Sequence, residues 1–127
     1  MEEGSPPEKA DSLSLGWAIF GGAMWSVASS FPITAVLVSV FRFPIPFGGI
    51  VSGPSFIPLA MFALLMYGIV LGGFVVLAVA GGVAGAVARF AGSTEVRQRL
   101  ILRILAIGAS LFLLLLLAML DWIIGPW

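Results

Sequence analysis

The sequence predicts an all-α integral membrane bundle of three transmembrane helices, with a Pro/Gly-rich interfacial loop between the first and second helices. Apolar residues make up 61% of the chain and charged residues only 9%, whereas a soluble domain carries roughly 25% charged residues. The apolar residues also gather into three blocks. Each is long enough to cross a membrane, because about 20 helical residues span a hydrocarbon core of about 30 Å. This composition does not fit a water-soluble globular fold.

Several kinds of chemistry are excluded by residue types that the chain lacks. It contains no cysteine and no histidine, so it cannot form a disulfide, a thiolate nucleophile or a Ser-His-Asp triad. The usual cysteine and histidine ligands of zinc are missing as well. Nucleic-acid binding needs a large basic surface, which a net charge of zero does not favour. We therefore expect no metal, no cofactor and no enzymatic activity.

The chain divides into a short tail and one membrane domain. Residues 1–12 are polar and contain four of the six acidic residues together with two adjacent prolines. This composition predicts a disordered acidic tail. Residues 13–127 form a single predicted transmembrane domain with spans over about 13–41, 57–88 and 101–124.

The first predicted span contains a proline. Pro32 has no N–H to donate to the carbonyl of Ala28, so we expect a kink or hinge at this point of the 13–41 span. Three hydroxyl side chains lie close enough along the chain to satisfy freed main-chain groups. They are Ser29, Ser30 and Thr34.

The segment that follows the first span is apolar but is not predicted to be helical. Residues 42–58 contain four prolines and three glycines, which exclude a regular helix through most of the segment. Phenylalanines within and beside it favour the membrane interface, where aromatic rings settle at headgroup depth. An interfacial loop is the main prediction, and a shallow re-entrant loop is the alternative.

The second predicted span is longer than a membrane requires. Residues 57–88 would extend over about 48 Å as one helix, so tilting, extension past the surface or a break must absorb the excess. The candidate break points are Gly72-Gly73 and Gly81-Gly82. In an alternative topology the segment folds back as a hairpin at Gly72-Gly73, although each arm would then reach only about 22 Å.

The third span follows the only strongly polar connection, residues 90–100. Ser93 is a candidate N-cap, and Glu95 would lie favourably in the first turn of the next helix. Glu95, Arg99 and Arg103 follow at four-residue steps and therefore share one helix face.

The basic residues predict the orientation. With three spans, the tail and the 90–100 connection lie on one side, which holds Lys9 and four arginines, while the other side holds only Arg42. Because Lys and Arg in short loops favour the cytoplasm, we expect a cytoplasmic N-terminus and a C-terminus outside. A bacterial inner (plasma) membrane is the default location for so compact a chain.

Small residues four apart are the strongest packing signal. Such spacings let helix backbones approach closely in lipid. They serve either packing among the protein's own helices or docking to copies of itself or to a larger membrane complex. The predicted helix-packing residues are Gly22, Ser26, Ser30, Gly68, Gly72, Gly81, Gly85, Ala106 and Ser110.

The remaining charges suggest two further sites. An arginine cluster could contact anionic lipid phosphates, and its members are Arg89, Arg97, Arg99 and Arg103. Arg103 lies just inside the third span, where we expect its side chain to reach toward the headgroups. Arg42 and Asp121 are predicted to lie on the same outer side and to form a polar pair there.

Taken with the absence of catalytic residues, these features predict a small multi-pass membrane protein that acts as a non-catalytic accessory or assembly subunit. The alternative is a small transporter or channel-forming protein, suggested by Pro32, the irregular 42–58 segment and the isolated Asp121. Three helices are too few to enclose a pathway comfortably, so this alternative requires an oligomer.

Overall fold

The computed structural model describes residues 13–124, apart from the side chains of Asp121, Trp122 and Ile124. The predicted tail, residues 1–12, lies outside the described residues. The helices are α1 (Leu15–Val40), α2 (Ile57–Leu65), α3 (Gly73–Ala91) and α4 (Glu95–Ile124). Three of them have segments long and apolar enough to cross a membrane, namely Leu15–Val40, Gly73–Ala91 and Glu95–Leu120. The predicted all-α fold with three membrane-length helices is confirmed.

Helix α1 begins at a hydroxyl cap and continues through its proline. The Ser14 hydroxyl accepts a hydrogen bond from the Trp17 N–H at 3.3 Å, which satisfies one of the free donors of the first turn. The helix then runs for 26 residues with Pro32 inside it. Pro32 does not end the helix, which continues for eight further residues to Val40.

The segment after α1 forms a small β-hairpin and a helical turn. Strands β1 (Phe43–Ile45) and β2 (Gly49–Val51) pair antiparallel, with Phe43 opposite Val51. A short 3₁₀ turn over Pro54–Phe56 then leads into α2. The prolines exclude a long helix, as predicted, but they tolerate a two-stranded ribbon because it consists of edge strands only. This ribbon is not among the elements that the sequence predicts.

The second apolar block is broken into two helices. Helix α2 continues into a π-helical segment over Met66–Val70, and the chain then turns at Gly72, whose φ is 73°. Glycine adopts this left-handed conformation without the steric penalty that a Cβ imposes. The break therefore falls at the first candidate point, whereas Gly81 and Gly82 lie inside the continuous helix α3.

The helices cross the bundle in alternating directions. Gly22 of α1 lies against Gly81 of α3, and Ala18 lies against Gly85, so α3 runs antiparallel to α1. Helix α4 runs parallel to α1, since Ser26 bonds to Ser110 and Leu13 bonds to Gln98 near the helix starts.

The hairpin alternative for residues 57–88 is not what the structure adopts. Leu64 of α2 packs in a cluster with Leu37 and Leu114, near the C-terminal ends of α1 and α4. Ala88 of α3 packs instead with Ala18 and Leu102 near their N-terminal ends. Helices α2 and α3 therefore continue across the bundle in one direction, and they act as one broken span.

The polar connection between α3 and α4 differs from its prediction by one residue. The Arg97 N–H donates to the Thr94 hydroxyl at 3.3 Å, and the Gln98 N–H donates to the Thr94 carbonyl at 2.9 Å. Thr94 rather than Ser93 therefore caps α4. Helix α4 begins at Glu95, six residues before the start of the predicted span at residue 101.

Candidate functional site

The glycine spacings of α1 and α3 meet each other. A Cβ on Gly22 would lie 2.9 Å from both the Gly81 carbonyl carbon and the Gly85 nitrogen. A Cβ on Gly85 would collide with the Ala18 carbonyl oxygen. The two helices thus pack main chain against main chain, a contact that only glycine permits. Gly22, Gly81 and Gly85 are buried inside the chain, so this contact leaves them no surface for a partner.

The serine spacings of α1 and α4 form a second seam. The Ser26 and Ser110 hydroxyl oxygens lie 2.8 Å apart, and Ser110 Oγ is 2.6 Å from the Ser26 carbonyl oxygen. Ser110 also lies one turn after Ala106, whose carbonyl oxygen is 3.1 Å from its hydroxyl. All three side chains are fully buried. Hydroxyl groups in this seam satisfy one another, as polar groups between membrane helices must.

Gly68 and Gly72 do not form a straight packing face. Gly68 lies in the π-helical segment and has the Phe74 ring packed against it, while Gly72 forms the turn that ends this segment. The helix between the two residues is not regular, so a role of this pair in packing against another helix stays a prediction. Both glycines serve the break in the second span.

The hydroxyl groups beside Pro32 bond to carbonyls other than the one that the proline frees. Ser29 donates to the Ser26 carbonyl at 3.1 Å, and Ser30 donates to the Val27 carbonyl at 2.6 Å. The Thr34 hydroxyl is buried and has no hydrogen-bond partner among the described residues. Whether Pro32 acts as a hinge stays a prediction.

A glutamine that the sequence analysis did not single out ties three segments together. The Gln98 side chain is 2% exposed and donates to the Arg89 carbonyl at 2.9 Å and to the Gly92 carbonyl at 3.1 Å. Its amide oxygen accepts from the Leu13 N–H at 2.8 Å. The signal in the sequence was the four-residue step from Gln98 through Leu102 to Ala106 and Ser110, which places Gln98 on the same helix face as the predicted packing residues. The structure buries all four side chains.

The four arginines of the predicted lipid cluster lie at one end of the bundle but differ in their surroundings. Arg99 bonds to Glu95, with its Nε 3.0 Å from a carboxylate oxygen. The Arg89 guanidinium carbon lies 5.7 Å from the centre of the Phe90 ring. Arg97 is exposed. The Arg103 guanidinium carbon lies 5.1 Å from the centre of the Trp25 ring.

The predicted pair of Arg42 and Asp121 stays a prediction. The Asp121 side chain lies outside the described residues. The Arg42 guanidinium carbon is 5.1 Å from the centre of the Phe41 ring. Its Nε is buried and makes no hydrogen bond to the part of the chain that the structure describes.

The outer side of the α1–α3 seam carries an apolar groove of about 730 Å³. Small residues of α3 lie along it at four-residue steps, namely Ala78, Gly82 and Ala86. Valines of the same helix border it, and Val75, Val79 and Val83 are each 60% or more exposed. Phe74 of α3 and, from α1, Ile19 and Val27 complete the lining. This groove has the profile into which a ridge of another helix fits.

A second apolar cavity, of about 220 Å³, lies at the break in the second span. Tyr67, Gly68, Gly73 and Phe74 contribute to it from the broken span, and leucines of α4 close it. The carboxylates and arginines of the described residues are not among its lining residues.

The chain matches no protein-family model, no curated protein and no solved structure.

Proposed function

We propose that the protein is a non-catalytic accessory subunit that packs against a transmembrane helix of a larger membrane complex or of a second copy. The observation that carries this proposal is the division of the small residues. The Gly22–Gly81 and Ser26–Ser110 contacts use one set inside the chain. The part-buried Ala78 and Ala86 instead line an outward apolar groove, with the buried Gly82 between them.

The proposed docking surface differs from the residues that the sequence analysis named. Helix association in lipid gains little from hydrophobicity, so it depends on close van der Waals packing. A groove with a floor of small residues and borders of valine permits such packing along about three helical turns. Exposed Val79 and Val83 side chains would interdigitate with the incoming helix.

Groove-filling variants test this proposal. Ala78→Leu and Ala86→Leu add side chains into the groove, and Gly108→Leu is a matched control because a Cβ at Gly108 meets no atom within 4 Å. After purification of the full chain in mild detergent, we expect the native protein to retain another chain or a second copy. The two groove variants should lose it, and the control should keep it. A native chain that elutes alone, or groove variants that keep the partner, would overturn the proposal.

A small oligomeric transporter or channel is the second candidate, and the broken second span is the observation that favours it. Discontinuous helices commonly form binding sites in transporters. Against it, the cavity at the break is lined by apolar side chains, and the buried serines bond within the chain. Purified protein in liposomes should show no ion flux above empty vesicles, whereas a discrete oligomer that conducts would favour the transporter.

The same proposal places the N-terminus in the cytoplasm, the C-terminus outside and the protein in a bacterial inner membrane. The support is that the start of α4, Arg89 and the first residues of α1 share one end of the bundle, where Gln98 bonds to both Leu13 and Arg89. The chain has no native cysteine, so single cysteines give a clean test. A membrane-impermeant thiol reagent on intact cells should label Ser55→Cys but not Ser93→Cys, because these exposed residues lie at opposite ends. The reverse pattern would invert the orientation.

A further inference from the structure

Among the arginines on the membrane-length helices of the described chain, Arg103 lies deepest, because it is farther from a helix end than any other. It follows the start of α4 at Glu95 by about 12 Å, at about 1.5 Å per residue. A charged side chain within a span is costly unless it is paired or reaches the headgroups. Its position therefore requires an explanation beyond the positive charge that orients the protein.

The Arg103 side chain is held against a tryptophan. Its guanidinium carbon lies 5.1 Å from the centre of the Trp25 ring, within the range of a cation–π contact. Trp25 is 40% exposed and Arg103 is exposed, so the pair lies on the outer side of the α1–α4 seam. The seam is narrow here because Gly21 presents no side chain to Leu102, whose methyl carbon lies 3.6 Å from where a Cβ would be.

The described residues offer Arg103 no counter-ion. Glu95 forms a salt bridge with Arg99, so its carboxylate is already paired. Asp121 lies about 27 Å farther along α4. A tryptophan ring compensates only part of the charge. The guanidinium therefore retains N–H donors that can bind an anion from outside the protein.

We propose that Arg103 and Trp25 form a binding site for the phosphate group of an anionic phospholipid. A guanidinium donates two parallel hydrogen bonds to a phosphate, which an ammonium group cannot do. The Trp25 ring holds the guanidinium plane on the outer side of the seam. Exposed apolar residues beside the pair, Met24 and Ile104, offer surface to the acyl chains.

Two arginines on the same helix, Arg97 and Arg99, do not share these features. Arg89 also contacts a ring, that of its neighbour Phe90, but it lies two residues from the end of α3. Arg99 is paired with Glu95. Arg97 lies six residues before Arg103 and therefore on a different face of α4. Arg97 provides the matched control, since it is exposed and carries the same charge at the same end of the bundle. A general attraction of anionic lipid to positive charge would depend on both residues alike.

Native mass spectrometry of the full chain in mild detergent can test the site. The protein is titrated with phosphatidylglycerol, with phosphatidylcholine or with inorganic phosphate, and the bound molecules are counted. We expect one phosphatidylglycerol to bind more tightly than phosphatidylcholine. Arg103→Gln should weaken it roughly tenfold or more, since charge-assisted hydrogen bonds are lost. Arg103→Lys and Trp25→Leu should weaken it several-fold, and Arg97→Gln should leave it within about twofold.

Three results would overturn the proposal. Equal losses in Arg103→Gln and Arg97→Gln would show diffuse electrostatic binding, and full binding by Arg103→Lys would show that charge alone suffices. Displacement of the lipid by inorganic phosphate alone would assign the site to a soluble anion. Unchanged thermal unfolding of each variant confirms that lost binding does not reflect a lost fold.

Discussion

The contact between α1 and α3 allows a test in which two adjacent glycines should behave differently. Gly22 and Gly21 lie next to each other in α1, yet they face different helices. A Cβ at Gly22 would collide with the Gly81 carbonyl oxygen and lie 2.9 Å from the Gly85 nitrogen. A Cβ at Gly21 would lie 3.6 Å from a flexible methyl group of Leu102, which is an ordinary van der Waals distance.

The size of the effect follows from these distances. The obstructing atoms at Gly22 are main-chain atoms, so no rotamer change can relieve the clash, and α3 must move by more than about 1.5 Å to bring every contact to about 3.5–4.0 Å. A gap wider than about 1 Å forfeits about half or more of each neighbouring contact. We therefore expect Gly22→Ala to cost about 3 kcal/mol, the upper part of the usual range for overpacking.

The control should move the other way or not at all. Gly21→Ala introduces the same methyl group at a site with room for it, and alanine favours the helix over glycine by about 1 kcal/mol in soluble hosts. Its free energy of unfolding should equal or exceed that of the native chain. Unfolding by SDS titration in mixed micelles, followed through tryptophan fluorescence, measures both variants. Equal stability of Gly22→Ala and Gly21→Ala would mean that the two helices do not pack as closely as the structure shows.

Three further predictions concern the polar contacts and the hairpin. A double-mutant cycle of Ser26→Ala and Ser110→Ala should give a coupling in unfolding free energy of about 0.6 kcal/mol, and no more than about 1.7 kcal/mol. Additive effects would contradict the hydrogen bond between the two hydroxyls. Gln98→Ala should lower the free energy of unfolding by about 2–3 kcal/mol, because two carbonyls and one N–H lose their partner. Hydrogen exchange at the Leu13 amide should accelerate, and unchanged exchange would contradict the hydrogen bond from Leu13 to Gln98. Phe47→Asn should stabilise the fold by about 1 kcal/mol in a thermal unfolding experiment. The reason is that Phe47 has a φ of 62°, and asparagine tolerates this left-handed region better than phenylalanine does. A loss of stability would show instead that detergent or lipid holds the ring.

The sequence by itself determined the spans and the interruptions between them. Three long apolar blocks can form helices in a membrane, and four prolines keep residues 42–58 from joining them. It also offered two glycine pairs at which the second block could break, Gly72-Gly73 and Gly81-Gly82, and only the structure selected the first, where Gly72 has a φ of 73°. These conclusions depend on local properties of the chain, namely length, hydropathy and main-chain freedom.

Only the tertiary structure decided which side of each helix faces the interior. In a membrane both lipid and protein interior are apolar, so hydrophobic periodicity does not distinguish them. Gly22 and Ala78 each belong to a row of small residues, but Gly22 packs against Gly81 and Ala78 lines an outward groove. Likewise, the contact of Arg103 with Trp25 joins residues far apart in sequence. Such pairings depend on the rotation of each helix about its axis, and that rotation is set by how all three helices pack together.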